Sequence, residues 1–163
     1  MSAHATEERN ESPLERLDRN TVELLNELRV AGTGIQVLFA FLLVVPFNSG
    51  FARLSSFDRD DYFVTLLCIA VAAALLIAPS IHHRLLFRRG QKAYLVNLAN
   101  RLLIVAMGFL TAGFTGILVL ISNVIFGTVA AVVVGVIAGI GLSGLWFAVP
   151  LSRRFALREE HQE

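Results

Sequence analysis

The sequence is poor in cysteine and, over most of its length, poor in charge. Cys68 is the single cysteine among 163 residues, so no disulfide can form within one chain and no thiolate cluster can hold a metal ion. Charged residues make up 17% of the chain, against 55% hydrophobic residues. A soluble domain of this size has no core large enough to bury that much apolar surface. The composition therefore excludes a soluble globular protein and favours a membrane protein.

Three long stretches contain no Asp, Glu, Lys or Arg: residues 30–52 (23 residues), 62–83 (22 residues) and 102–152 (51 residues). A membrane-spanning helix needs about 20 apolar residues to cross ~30 Å of hydrocarbon. The third stretch would be about 77 Å long as one helix, so it must fold back, and Ser122-Asn123 is its most polar interruption. We therefore predict an all-α integral membrane four-helix bundle over residues 30–150, with spans at about 30–47, 62–80, 102–121 and 126–149. Prolines are expected to end three of these spans: Pro46, Pro79 and Pro150.

Basic residues are distributed unevenly among the connections. Twelve of the 14 Lys and Arg residues lie before the first span, between the second and third, or after the fourth. The connection between the first two spans holds only Arg53 and Arg59, beside three aspartates. Because Lys and Arg concentrate in cytoplasmic loops, we predict a cell-membrane protein with both termini in the cytoplasm. We expect the Arg84–Lys92 loop to attract anionic lipid headgroups, and no nucleic acid as a partner.

The residues before the first span predict a cytoplasmic amphipathic helix over 13–29, after a disordered tail over 1–12. Ser12, Pro13 and Glu15 form a typical helix start, and leucines then recur at a spacing of three or four residues. This helix either packs on the basic loop or the membrane surface, or forms a short oligomerising coiled coil. Gly32 and Gly34 could provide a hinge to the first span. Residues 151–163 are expected to form a cytoplasmic tail.

Small residues recur every fourth position along the predicted fourth span: Gly127, Ala131, Gly135, Gly139 and Ser143. Within a membrane, such a stripe lets the backbones of two helices approach closely. It therefore predicts a helix-packing face, whose partner is either the third span or another subunit.

No motif for catalysis is present. The sequence lacks a Ser-His-Asp set, a glycine-rich phosphate loop and a zinc-binding helix motif. His82 and His83 are adjacent, so in a helix they point roughly 100° apart and cannot hold one ion from one face. We expect no enzyme activity, metal site or cofactor. Every Asp and Glu lies outside the predicted spans, which disfavours a carrier that couples to an ion through an intramembrane carboxylate.

One polar cluster is a candidate binding site near the predicted cytoplasmic ends of the first and third spans: Glu27, Gln36, Asn97, Asn100 and Arg101. In one interpretation Arg101 pairs with Glu27, and the two asparagines extend this network towards Gln36. In the other, Arg101 extends to lipid headgroups and anchors the helix.

Several segments carry a family resemblance: residues 16–18, 23–30, 33–36, 39–43, 78–79, 83–84, 86–88 and 99–102, which include Arg-Leu-Asp, Glu-Leu-Leu-Asn-Glu-Leu-Arg-Val and Ala-Asn-Arg-Leu. Over about residues 14–125 the chain resembles a family of small actinobacterial four-span membrane proteins of unknown function, some members of which carry an automatic sodium:proton antiporter label. The first hypothesis is a non-enzymatic structural, partner-binding or regulatory membrane component that forms homo-oligomers or binds a partner membrane protein. The alternative is a small oligomeric ion transporter or channel.

Overall fold

Four long helices make up the computed structural model, which describes residues 13–86 and 92–148. They are α1 (Pro13–Val44), α2 (Ser56–Leu86), α3 (Lys92–Phe126) and α4 (Thr128–Ser143). Two short 3₁₀ turns, Val45–Phe47 and Phe51–Arg53, connect α1 to α2, and a π-helical turn, Gly144–Ala148, follows α4. Since neither described range contains a strand, the predicted all-α fold is confirmed.

Four helical segments are long and apolar enough to cross a membrane: Arg29–Phe47, Ser56–Ile81, Val96–Phe126 and Thr128–Ala148. The first and the fourth include the short helical turns that follow α1 and α4. The number of spans agrees with the prediction. The protein is a multi-pass membrane protein with four spanning helices.

The predicted amphipathic helix and the first span are one continuous helix. No break separates them at Gly32 or Gly34, because an interior glycine weakens a helix by only about 1 kcal/mol and a membrane helix must keep its backbone hydrogen bonds. The structure describes the backbone of α1 at the leucines on which the amphipathic prediction rests, but not their side chains. The predicted tails and residues 87–91 of the basic loop also lie outside the described residues.

Helix α2 extends beyond its predicted ends on both sides. It begins at Ser56, six residues before the predicted start, and continues past Pro79 to Leu86. Pro79 therefore lies inside the helix and is fully buried, which differs from the expectation that it ends the span. Neighbouring helices and local adjustment compensate for the missing backbone N–H of a proline in a membrane bundle.

The hairpin between α3 and α4 turns at a single residue, Gly127. Its φ of 86° lies in the left-handed region that glycine adopts at no steric cost, and its N–H donates to the Asn123 carbonyl at 3.0 Å. The predicted interruption at Ser122-Asn123 is instead part of α3, which continues to Phe126. Both side chains face inward, where they have roles described below.

The helices pack as antiparallel neighbours in chain order. The α2–α3 interface is the most extensive, α1 packs on α2 and to a smaller extent on α3, and α4 packs mainly on α3 within the described residues. The core lies between α2 and α3, where Ile69, Ala72 and Ala106 are fully buried. A Cβ on Gly113 would lie 2.5 Å from Cδ1 of Ile69, so these two helices are in close contact. We call the end of the bundle that holds residues 45–55 and Gly127 the hairpin end.

Candidate functional site

The first turn of α2, at the hairpin end, is organised by a reciprocal pair of hydrogen bonds. The Asp58 N–H donates to Oγ of Ser55 at 3.1 Å, and the Ser55 N–H and hydroxyl donate to Oδ2 of Asp58 at 3.3 and 2.7 Å. This arrangement satisfies backbone donors that the start of a helix leaves free. Ser55 and Asp58 thus fix where α2 begins.

Asp58 also connects α2 to α3. Its second oxygen, Oδ1, accepts a hydrogen bond from the side-chain amide of Asn123 at 2.7 Å. Asp58 is only 5% exposed, so both of its oxygens are used by the protein. Its role in the described structure is to hold the ends of two helices together.

Asp61, one turn further along the same face, is in a different situation. It is half-buried, and its Oδ2 is buried without a hydrogen-bond partner. Its other oxygen, Oδ1, lies 3.4 Å from the position that a Cβ on Gly116 of α3 would occupy. A buried carboxylate oxygen without a partner costs free energy unless a cation or a proton neutralises it.

Thr65 adds a third oxygen at the same position. It is 2% exposed, and its Oγ1 would collide with a Cβ on Gly116. The hydroxyl of Thr65 and the carboxylate of Asp61 therefore face the same point on α3. Only glycine at position 116 leaves room for both.

No positive side chain neutralises these aspartates within the described ranges. Neither Asp58 nor Asp61 forms an ion pair there. The nearest arginine in sequence, Arg59, donates instead to the Ala52 carbonyl at 2.7 Å. The spanning parts of α1, α3 and α4 at this end contain no Lys or Arg. The site therefore carries negative charge without a positive partner, but the described residues form no cluster that could hold a metal ion.

This geometry corrects the expectation that every Asp and Glu lies outside the spans. The apolar segment Ser56–Ile81 includes Asp58, Asp60 and Asp61, and two of the three face the interior of the bundle. The sequence did contain a signal for this: Ser55 and Asp58 have the Ser-x-x-Asp spacing of a helix start. That spacing places the aspartates on the first two turns of a helix rather than in a loop.

A family model described as "Family of unknown function (DUF6328)" matches residues 10–150. The chain belongs to this family. No curated protein and no solved structure matches the chain. The match agrees with the predicted resemblance to a family of unknown function, and the four apolar helices agree with its membrane character.

Four of the five residues of the polar cluster predicted from the sequence can be located in the described structure. Gln36, Asn97, Asn100 and Arg101 are all exposed, and no hydrogen bond or ion pair joins their side chains in the described structure. The inward face of α3 at this level belongs to Ala99 instead. The side chain of Glu27 lies outside the described part of α1, so its pairing with Arg101 stays a prediction.

The small-residue stripe of α4 is divided between three environments. Ala131 is buried, a Cβ on Gly135 would lie 2.7 Å from Cγ2 of Val119, and one on Gly139 would lie 3.9 Å from Thr115. These three residues face α3. Gly127 forms the turn between α3 and α4, which requires its positive φ. Nothing lies within 4 Å of its Cβ position. Ser143 is exposed and lines a groove on the outer side of α4.

Proposed function

We propose that the protein is a non-enzymatic component of the cell membrane that acts through association of its fourth helix with a second copy of the chain. The observation that supports this proposal is the one-sided packing of α4. Among the helices that the structure describes, its main packing partner is α3, and Ala131 is its one buried residue. The remaining faces of α4 are available to lipid or to another subunit.

A groove on the outer side of α4 is the suggested contact surface. It has a volume of about 690 Å³ and is lined by small and apolar residues, which are Gly139, Ile140, Ser143, Gly144, Phe147 and Ala148. Burial of apolar surface does not drive association inside a bilayer, whereas close backbone approach at small residues does. Ser143 and Gly144 provide such positions towards a second copy, whereas Gly139 also contacts Thr115 of α3.

Disulfide cross-linking in native membranes tests this proposal. In a Cys68→Ser background, Ser143→Cys should form a disulfide-linked dimer on mild oxidation, because two copies that meet at the groove bring the thiols together. Ala112→Cys is the matched control. It is exposed on α3, at a similar level because Thr115 lies beside Gly139. Equal cross-linking of the two variants, or none, would contradict association through the groove.

The distribution of basic residues supports a cytoplasmic location for both termini. Twelve of the 14 basic residues belong to segments that four spans place on one side, the side that is cytoplasmic in bacterial and eukaryotic membranes alike. The basic segment between α2 and α3 would then meet the anionic lipids of the cytoplasmic leaflet. The hairpin end would face the outside.

A second candidate function, ion transport, is favoured by one specific observation: the unpartnered carboxylate oxygen of Asp61. Carboxylates that face the interior of a membrane bundle often bind the ion or proton that a carrier moves. This candidate agrees with the antiporter label that the family resemblance implies. Transport would require an oligomer, since four spans packed as closely as α2 and α3 enclose no pathway of their own.

Reconstitution into liposomes separates the two functions. Transport predicts sodium-driven proton movement above that of empty vesicles, lost in Asp61→Asn and retained in Asp60→Asn. The control removes the same charge from an exposed neighbour. If wild-type protein that is folded and correctly inserted shows no sodium-driven proton movement, sodium:proton transport is excluded. The associating membrane component then remains as the proposed function.

A further inference from the structure

A second feature of the hairpin end is an apolar cavity of about 410 Å³ between the end of α1, the connection to α2 and the last turns of α3. Its walls include Leu42, Phe51, Leu54, Ile121 and Val124. The volume lies within the range of small-molecule sites. Nothing in the proposed function of α4 uses this cavity.

Two polar side chains in the cavity wall are already hydrogen-bonded to backbone carbonyls of the protein. The Tyr62 hydroxyl donates to the Leu42 carbonyl at 2.8 Å, and its ring packs edge-on against Phe51 with centroids 5.1 Å apart. The Asn48 amide donates to the Val44 carbonyl at 3.3 Å. With no side chain directed at an occupant for hydrogen bonding, the cavity favours a hydrocarbon.

The position of the cavity identifies the source of that hydrocarbon. Its walls include the connection after α1, but most of them belong to membrane-spanning segments. The wall residues Ile121, Val124 and Ile125 of α3 remain exposed. Helix α4 does not line it. The open side of the cavity therefore faces the interior of the bilayer, where the available hydrocarbon is the acyl chain of a lipid.

A free positive charge lies beside the cavity. Arg53 is exposed and lies in the sequence between Phe51 and Leu54, which both line the wall, although Arg53 itself does not line it. Its guanidinium makes no hydrogen bond or ion pair with any residue that the structure describes, whereas that of Arg59 is bound to a backbone carbonyl. Guanidinium groups bind phosphate through two parallel hydrogen bonds.

We propose that the cavity binds one acyl chain of an anionic phospholipid whose headgroup phosphate is held by Arg53. Moving an acyl chain from the bilayer into the cavity exchanges one hydrocarbon environment for another, so apolar burial contributes little to selection. The headgroup therefore decides which lipid is bound. The charge of one arginine near a membrane surface corresponds at most to about a fivefold preference for an anionic lipid, because the exposed carboxylate of Asp60 at the same end of the bundle opposes it.

Native mass spectrometry tests the proposal with equal amounts of phosphatidylglycerol and phosphatidylcholine that carry identical acyl chains. Wild-type protein should retain one phosphatidylglycerol in preference to phosphatidylcholine, by at most about fivefold. Arg53→Gln should lose the preference but still retain lipid, and Arg29→Gln, an exposed arginine of α1, should behave as wild type. Equal preference in both arginine variants would overturn the role of Arg53.

A second pair of variants tests the cavity itself. Ile121→Trp fills the cavity and should abolish retention of both lipids. Ile104→Trp is the matched control, since it lies on the same helix, is equally exposed at 49% and does not line the cavity. Thermal melting should show both variants folded. Retention by Ile121→Trp at the level of Ile104→Trp, or no retained lipid in the wild type, would overturn the proposal.

Discussion

At the scale of single residues, Gly116 is one of two glycines, with Gly113, that let the two central helices approach closely. Gly116 faces Thr65 across the α2–α3 interface, and the threonine hydroxyl occupies the space that any larger residue at 116 would need. Because Thr65 is almost completely buried, it cannot turn away into solvent. The position of the Asp61 carboxylate depends on the same approach, since its Oδ1 lies against the same point.

Gly116→Ala should therefore destabilise the protein, although alanine is the better helix former. Overpacking of a buried contact typically costs about 1–3 kcal/mol, which corresponds to a fall in melting temperature of about 2–4 °C per kcal/mol at this chain length. Thermal unfolding in detergent measures the effect. Gly108→Ala on the same helix meets no atom within 4 Å and should be neutral or slightly stabilising.

A second substitution identifies the cause of that loss. Thr65→Ala removes the hydroxyl that collides with the new methyl group, so the double variant should recover part of the stability lost in Gly116→Ala. Coupling between neighbouring sites of this kind reaches about 0.5–3 kcal/mol in a double-mutant cycle. Additive effects would mean that Gly116 is needed for another reason.

The aspartates of α2 show which part of the site the sequence does not predict. Charged residues beside an apolar stretch predict a loop, because an isolated charge inside a membrane is costly. For Asp58, hydrogen bonds from Ser55 and from Asn123 offset this cost. Asn123 lies 65 positions after Asp58 in the sequence. The capping pair can be found in the sequence, since its members are three residues apart. The partner on α3 cannot, because no local pattern relates two residues so far apart.

At the scale of helices, the length of each apolar stretch predicted the number of spans, and the ends differed for identifiable reasons. Helix α3 continues past Ser122 and Asn123 because these polar side chains face inward, where Ser122 is buried and Asn123 binds Asp58. A polar pair therefore does not mark a turn when a neighbouring helix supplies its partner. Gly127 does mark the turn, because the chain requires a positive φ there.

The packing of α4 predicts a graded response along its glycines. Leucine at Gly135 should cost the most stability, about 1–3 kcal/mol for an overpacked contact, because a Cβ there would lie 2.7 Å from Val119. Leucine at Gly139, with ordinary contact to Thr115 at 3.9 Å, should cost less, and leucine at Gly141, with nothing within 4 Å, should cost least. Thermal unfolding in detergent gives the order, and equal melting of the three variants would mean that α3 does not restrict this face.

At the scale of the whole molecule, the antiparallel helices fix which segments share an end of the bundle. Tyr62 at the start of α2 binds Leu42 near the end of α1, and Asp58 binds Asn123 near the end of α3. The α1–α2 connection and the Gly127 turn must therefore lie on the same side of the membrane. The charge distribution predicts which side that is, since the hairpin end holds two basic residues and three aspartates.

Topology reporters test both statements together. Reporters inserted after Ser55 and at Gly127 should both read external, and those placed after His4, between Gly90 and Gln91, and after Glu163 should all read cytoplasmic. The fold alone requires the reporters at Ser55 and Gly127 to give the same reading. That this reading is external follows from the excess of basic residues at the other end of the bundle. Two cytoplasmic readings at the hairpin end would leave the fold intact and reverse the orientation. Opposite readings at Ser55 and Gly127 would contradict the four-span bundle itself, because the hydrogen bonds of Asp58 and Tyr62 could then not form in the membrane.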